Sequence, residues 1–176
     1  RHSGGARMTR EAALGVMVAV TIALLGVLVW AWWRRTRRDA ALVAPVGEIP
    51  AGAATLSAFP TLYVATTRHG EPLERLAIGG LAFRSRSDVT VTDAGVALDL
   101  TGKPRVFLAS ERIEDVAQAT VAIDRVVEPD GLVRLAWRLD DGTVVDSYLR
   151  PQDASARALA DAVAGILPPT QTGTDA

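Results

Sequence analysis

Residues 131–167 read GLVRLAWRLDDGTVVDSYLRPQDASARALADAVAGIL, and the spacing of the apolar residues changes along them. Over 132–139, Val133, Leu135, Trp137 and Leu139 face one way while Arg134 and Arg138 face the other. That period of two belongs to a strand with one buried face. Asp140, Asp141 and Gly142 supply a turn, and 143–149 continue as the next strand. After Pro151 the spacing lengthens: Ala156, Leu159, Ala160, Val163, Ile166 and Leu167 recur at helical intervals. Asp153 is placed to cap this helix of about fifteen residues, and Pro168 and Pro169 stop it. The stretch predicts a β domain whose open end is covered by one C-terminal amphipathic helix.

Upstream the strand pattern repeats. Residues 61–67 (TLYVATT) form a first strand, ended by the turn His69-Gly70-Glu71-Pro72. Residues 76–85 carry apolar side chains through Gly79-Gly80, a pair that suggests a bend or bulge. Val89 and Val91 alternate with threonines, and Asp93-Ala94-Gly95 turns the chain into 96–100 as a hairpin. Residues 105–109 (RVFLA) follow the turn Gly102-Lys103-Pro104, and 120–127 precede the turn Pro129-Asp130-Gly131. About seven strands at this spacing predict a barrel or sandwich over 61–168. Residues 39–60 hold three prolines and two glycines without periodicity and read as a semi-extended tether. Residues 169–176 read as a frayed tail.

The N-terminal part is of another kind. After a flank of 1–11, residues 12–33 (AALGVMVAVTIALLGVLVWAWW) hold 22 residues without a charge. As a helix they span about 33 Å, enough for a hydrocarbon core of about 30 Å. Trp30, Trp32 and Trp33 gather where indoles favour the headgroup region, and Arg34, Arg35, Arg37 and Arg38 follow as a stop. Residues 34–60 are thus a basic stop and a Pro/Gly/Ala-rich linker. A cleaved signal peptide has an apolar run of about 7–15 residues and a small-residue cleavage site. This run is longer and ends in tryptophan and arginine, so a retained anchor is expected. The N-terminal side has Arg7 and Arg10 offset by Glu11, with Arg1 further out, and Met8 is a candidate native start. The positive-inside bias then places the large domain in the cytoplasm, at the plasma membrane. Gly15, Ala19 and Ala23 have the small-xxx-small spacing that permits homodimerisation through the span.

Charge divides in the same place. Residues 1–38 carry seven arginines and one acid, about +6; the rest carry 12 Lys+Arg and 19 Asp+Glu, about −7. An acidic domain is ill suited to nucleic acid, where cations must neutralise phosphates. With no cysteine and two histidines, thiolate sites are excluded and a multi-histidine metal centre is not expected. No cofactor is expected.

Strands in meandering hairpins followed by one amphipathic helix are the order of the pleckstrin-homology (PH) superfold. The local motifs resemble those of small actinobacterial membrane proteins with one N-terminal span and a PH-like domain. The likeness rests on Tyr63-Val64-Ala65-Thr66-Thr67, Pro72-Leu73-Glu74-Arg75-Leu76 and Gly80-Leu81-Ala82-Phe83-Arg84-Ser85-Arg86. It continues through Val89-Thr90-Val91-Thr92-Asp93-Ala94-Gly95-Val96 and Leu135-Ala136-Trp137-Arg138-Leu139. Members of that group are often encoded among pyrimidine-biosynthesis genes and have no established activity. The fold class expected is therefore an N-terminal transmembrane helix plus a mainly-β PH-like domain, a small barrel capped by a C-terminal helix.

Function is less legible. PH domains that bind phosphoinositides use a basic residue near the first strand and a later Lys/Arg-x-Arg pair. The resemblance implies Arg68, Arg84 and Arg86 for that role. The same arginines also fit a solvated strand face or pairing with Asp88. A stronger basis for anionic lipid contact is the cluster Arg34, Arg35, Arg37 and Arg38. His69 with Ser85 or Ser110 and an acid could be drawn as a triad, but no nucleophile-elbow sequence supports it. Residues 110–120 (SERIEDVAQAT), acidic and irregular, are the candidate partner surface, with Glu111, Arg112, Glu114 and Asp115. The expected function is non-enzymatic, a membrane-anchored adaptor for a protein partner. The alternatives are an anionic-headgroup sensor and an accessory subunit of a transport or export system.

Overall fold

The computed structural model of the chain describes residues 10–39, 42–119, 121–122, 125–126 and 131–168. The flank with Arg1, Arg7 and Met8, the turn residues Pro129 and Asp130, and the tail 169–176 lie outside the described residues. The chain divides into two compact units, Arg1–Asp39 and Ala40–Ala176. In the first, the charge-free run becomes helix α1, Arg10–Asp39, whose stretch Arg10–Arg34 is long and apolar enough to cross a membrane. Its large apolar side chains, Leu14 through Trp33, are exposed on all faces. The expected span 12–33 lies within it, and the helix runs on through the basic stop.

The second unit is built on one antiparallel sheet. Its strands are β1 (Thr55–Arg68), β2 (Glu71–Arg75), β3 (Ser85–Thr92), β4 (Gly95–Leu100), β5 (Val106–Ala109) and β6 (Ile113–Ala119). A separate two-stranded ladder joins β7 (Val121–Ala122) to β8 (Arg125–Val126), and β9 (Leu132–Arg138) and β10 (Val144–Pro151) complete the main sheet. Its order is β5-β4-β3-β1-β10-β9-β6, with β2 on β1. The PH-like β domain expected from the sequence is present, and the ends of its sheet do not join, so the small barrel is open. The single strand expected over 120–127 is replaced by that ladder, and β9 pairs with β6 instead. Residues 76–84, expected as a strand, form a loop in which Leu76, Ile78 and Leu81 are buried.

The alternation read in 132–149 is realised. Val133, Leu135 and Trp137 enter the core with Val145 and Leu149, while Arg134 and Arg138 point to the other face. The core side also holds Val89, Val91, Val96, Leu98, Val106 and Leu108. Helix α2 (Ala156–Ala164) lays Ala156, Leu159, Ala160 and Val163 against it. The helix has nine residues rather than fifteen, and Ser155, not Asp153, caps it by accepting from the Ala158 N–H at 3.1 Å. Beyond Gly165, Ile166 and Leu167 continue in tighter turns, with N–H bonds to the carbonyls of Val163 and Ala164.

A buried hydroxyl chain crosses this core. A register shift between Tyr63 and Ala65 places an extra residue at Val64. Tyr63 and Thr66, three residues apart, can then share the core face, which strict alternation forbids. Their hydroxyls meet at 2.7 Å, Thr66 meets Ser147 at 2.7 Å, and Trp137 Nε1 reaches Ser147 at 2.9 Å. Tyr63 also bonds the Leu81 carbonyl at 2.8 Å. The indole can only donate and the carbonyl only accept, so the direction follows. Trp137 donates to Ser147, Ser147 to Thr66, Thr66 to Tyr63, and Tyr63 to Leu81. The loop 76–84 is thereby tied to three strands.

Residues 42–60 are not a tether. Ala44 is buried, Leu42 packs on the core, and β1 begins at Thr55, six residues before the expected strand. The segment seats along the outer side of β5: Val46 lies opposite Val106, Phe107 N–H donates to the Pro45 carbonyl at 3.0 Å, and Gly47 N–H to the Arg105 carbonyl at 3.1 Å. Arg105 adds ion pairs to Glu48 at 2.8 Å and Asp99 at 2.7 Å. We call residues 42–48 the strap. Its Pro45 and Gly47 suit an extended edge cover, whose register is set by β5 rather than by any pattern of its own.

Candidate functional site

Three groups of residues were marked by the sequence, and the structure treats them differently. In α1 the arginines fold back over the indoles: the Arg34 guanidinium lies 5.5 Å from the Trp30 ring centroid and that of Arg37 3.8 Å from Trp33. A helix brings residues four apart together, so Trp-Arg pairs at that interval form cation–π contacts. Trp30, Trp32 and Trp33 are exposed. The backbone of Arg35 and Arg38 is helical, and their side chains lie outside the described residues.

Arg68, Arg84 and Arg86 do not converge. Arg68 ends β1, where its Nε is bonded to Glu74 at 3.0 Å. Arg86 on β3 lies opposite Leu62, six residues back along β1. At about 3.3 Å per residue that is roughly 20 Å from Arg68. Arg84 and Arg86 are exposed and make no ion pair among the described residues, Asp88 included. The headgroup site implied by the resemblance is therefore not assembled as three arginines. Phe83 beside them is exposed, and its loop is held at the Leu81 carbonyl by Tyr63 and at the Ala82 carbonyl by Arg75 at 3.1 Å.

Of the segment 110–120, the described residues 110–119 are regular, not irregular. Ser110–Arg112 make one 3-10 turn, and Ile113–Ala119 are β6, the last strand of the sheet. The segment's acids Asp115 and Glu114 pair with Arg134 and Arg138, and its Arg112 pairs with Asp140 at 2.6 Å. A register shift between Ile113 and Asp115 bulges the strand at Glu114. Glu111 is exposed. The candidate partner residues thus sit at a sheet edge.

One polar cluster escaped the sequence reading. Asp146 on β10 is buried to 1% exposure, yet its carboxylate meets His69 Nδ1 at 2.8 Å and accepts from the Gly70 N–H at 3.1 Å. Arg134 lies 3.7 Å away. A buried carboxylate demands such partners. The pair is 77 positions apart in sequence, so no local signal joins it. Neither Ser85 nor Ser110 bonds His69 among the described residues, so the drawn triad is not assembled; the Ser85 hydroxyl is buried without a hydrogen-bond partner there. Burial also pushes the Tyr148 phenol up, with the Asp146 charge adding to the shift. Among the described residues no three His, Asp or Glu side chains are gathered as a metal site.

An open antiparallel sheet of hairpins, closed at its C-terminal end by a helix on the core face, defines a PH-like domain. Residues 43–164 match the family described as Bacterial PH domain-like, and the chain belongs to that family. No curated protein matches it. Among solved structures it is similar to the C-terminal domain of an unknown protein from Leishmania infantum, at 11% identity and TM-score 0.43, over 80% of this chain and 99% of that one. It is also similar to a chain of the 8S snRNP assembly intermediate, at 11% identity and TM-score 0.48, over 76% of this chain and 97% of that one. Likenesses at that level carry no information on function.

Proposed function

We propose that this protein is a membrane-anchored, non-enzymatic PH-like module that presents an interaction domain to a protein partner at the cytoplasmic face of the membrane. The observation that carries the reading is the succession of its two units. A helix apolar and long enough to span a bilayer is followed, after Ala40 and Ala41 alone, by the first residue packed on a PH-like core. The separation of Arg68 from Arg86 and its pairing to Glu74 favour this over the headgroup sensor. The outer edge of β6, bearing Glu111 beside it, is the surface assigned to the partner.

Cross-linking in native membranes, then affinity purification and mass spectrometry, tests the adaptor role. The control carries residues 1–41 fused to an unrelated domain. A protein enriched with the native domain and lost when Glu111 and the β6 residues Asp115 and Gln118 are altered is the expected result. No such protein, together with salt-sensitive binding of fragment 42–168 to anionic vesicles, replaces the adaptor with the lipid reading.

A further inference from the structure

The outer edge of β5 receives a segment that is not one of the sheet's own strands. What holds the strap there is mostly backbone: the Phe107 N–H to the Pro45 carbonyl, and the Gly47 N–H to the Arg105 carbonyl. Glu48 adds one ion pair to Arg105, and Ala44 is the strap's one fully buried side chain, while Val43 and Val46 are exposed. Residues 49–54 then lead from the strap into β1 through a turn in which the Ala53 N–H bonds the Pro50 carbonyl at 3.1 Å and Gly52 is left-handed, φ +89°. Every contact of the seat can be made equally by the same segment of another chain. Only the turn must change.

We propose that the β5 edge is a strand-acceptor site whose occupant exchanges between copies of this chain, the strap of one seating on β5 of a second. Exchange conserves the two backbone bonds, the burial of Ala44 and the Glu48–Arg105 pair, so the balance is set by chain concentration and by strain in the turn. The partner is a second copy because the strap is the occupant known to complement this edge residue by residue: a small side chain at 44, a carbonyl at 45, an N–H at 47 and an acid at 48. Confinement in one bilayer, under the anchoring reading above, raises the concentration that exchange needs. The seat itself does not rest on that reading, nor on contacts between spans.

The chain has no cysteine, and a Cβ built on Gly47 lies 3.7 Å from the Cβ of Phe107. A disulfide spans about 3.8 Å between Cβ atoms, so Gly47→Cys and Phe107→Cys are a matched pair across the seat. The double variant is expected to close an intrachain disulfide on oxidation, which reports the strap in place. The two single variants, differently tagged and co-expressed as full chains, are expected to give a reducible heterodimer carrying both tags. Adding Gly52→Val to the Gly47→Cys chain strains the turn that folds the strap back and raises the heterodimer about tenfold. Intrachain closure without any heterodimer overturns the proposal, and so does a folded double variant that does not close. A measurement free of cysteines guards against misfolding of those variants. In detergent, the full chain with Gly52→Val shows a larger, concentration-dependent dimer fraction than the native chain, and monomers at every concentration in both overturn the proposal.

Discussion

Thr66 is the middle link of the buried hydroxyl chain, and its position shows why single atoms matter in this core. Thr66→Val keeps the shape of the side chain but strands the Ser147 hydroxyl as a donor and leaves Tyr63 without the hydrogen bond it accepts. A buried polar group left unmatched costs about 1–3 kcal/mol. The expected loss is about 2 kcal/mol in urea unfolding of fragment 42–168, with unchanged denaturant slope; a loss below about 0.5 kcal/mol would show the relay to be replaceable. Tyr63 also sets an alkaline limit. Burial pushes its phenol well above the ordinary value of 10.0, against the weaker opposing effects of the Thr66 hydrogen bond and Arg75. A folded value above the unfolded one means that unfolding releases a proton at high pH. The stabilisation is complete below pH 10.0 and is lost as pH rises from there towards the folded value. Tyr63→Phe is therefore expected to lower stability at neutral pH and to flatten the decline above pH 10.0. An equally steep decline in Tyr63→Phe would assign the effect to Tyr148, which is shifted in the same direction.

At the scale of elements, the strap has the most direct consequence. Fragments beginning at 42 and at 55 differ only by the strap and its turn. Two backbone bonds to β5, the reciprocal hydrogen bonds between Ala54 and Asp93 and a largely exposed ion pair together are worth about 3–5 kcal/mol, so the shorter fragment should unfold earlier by about that amount. Its bare β5 edge should also make it self-associate, which light scattering reads. Equal stability and solubility would show that the strap is ornamental. The strap and its turn were not legible because Pro45, Gly47, Pro50 and Gly52 give them no period, and the strap's partner lies some sixty residues away in β5. By contrast 132–149 was legible, since one buried face imposes alternation directly. The loop 76–84 misleads because buried Leu76, Ile78 and Leu81 imitate a strand, whereas the Leu81 and Ala82 carbonyls are bonded by side chains. The arginines of the candidate site misled for a related reason: spacing along the chain says which face a residue takes, and the pairing of β1 with β3 decides how far apart Arg68 and Arg86 fall.

The whole molecule is governed by its division of charge. Seven arginines against one acid before Asp39, and 19 acids against 12 cations from there on, make the two ends of α1 unequal: Arg34, Arg35, Arg37 and Arg38 sit at one, Arg10 and Glu11 at the other. Retention of clustered arginines on the cytoplasmic side is what orients a single span. The full chain in bacterial membranes is therefore expected to resist alkaline carbonate extraction and to keep a C-terminal tag protected from protease added to intact spheroplasts. The orientation should depend on those arginines rather than on the domain. Replacing all four by Gln and Glu11 by Lys reverses the bias, and a substantial fraction of tags should then become cleavable from outside. A native chain whose tag is digested in intact spheroplasts would sink the cytoplasmic reading. A mature chain whose mass lacks the apolar run would identify the helix as a cleaved signal, and the PH-like domain would then act away from the bilayer that the adaptor reading assigns to it.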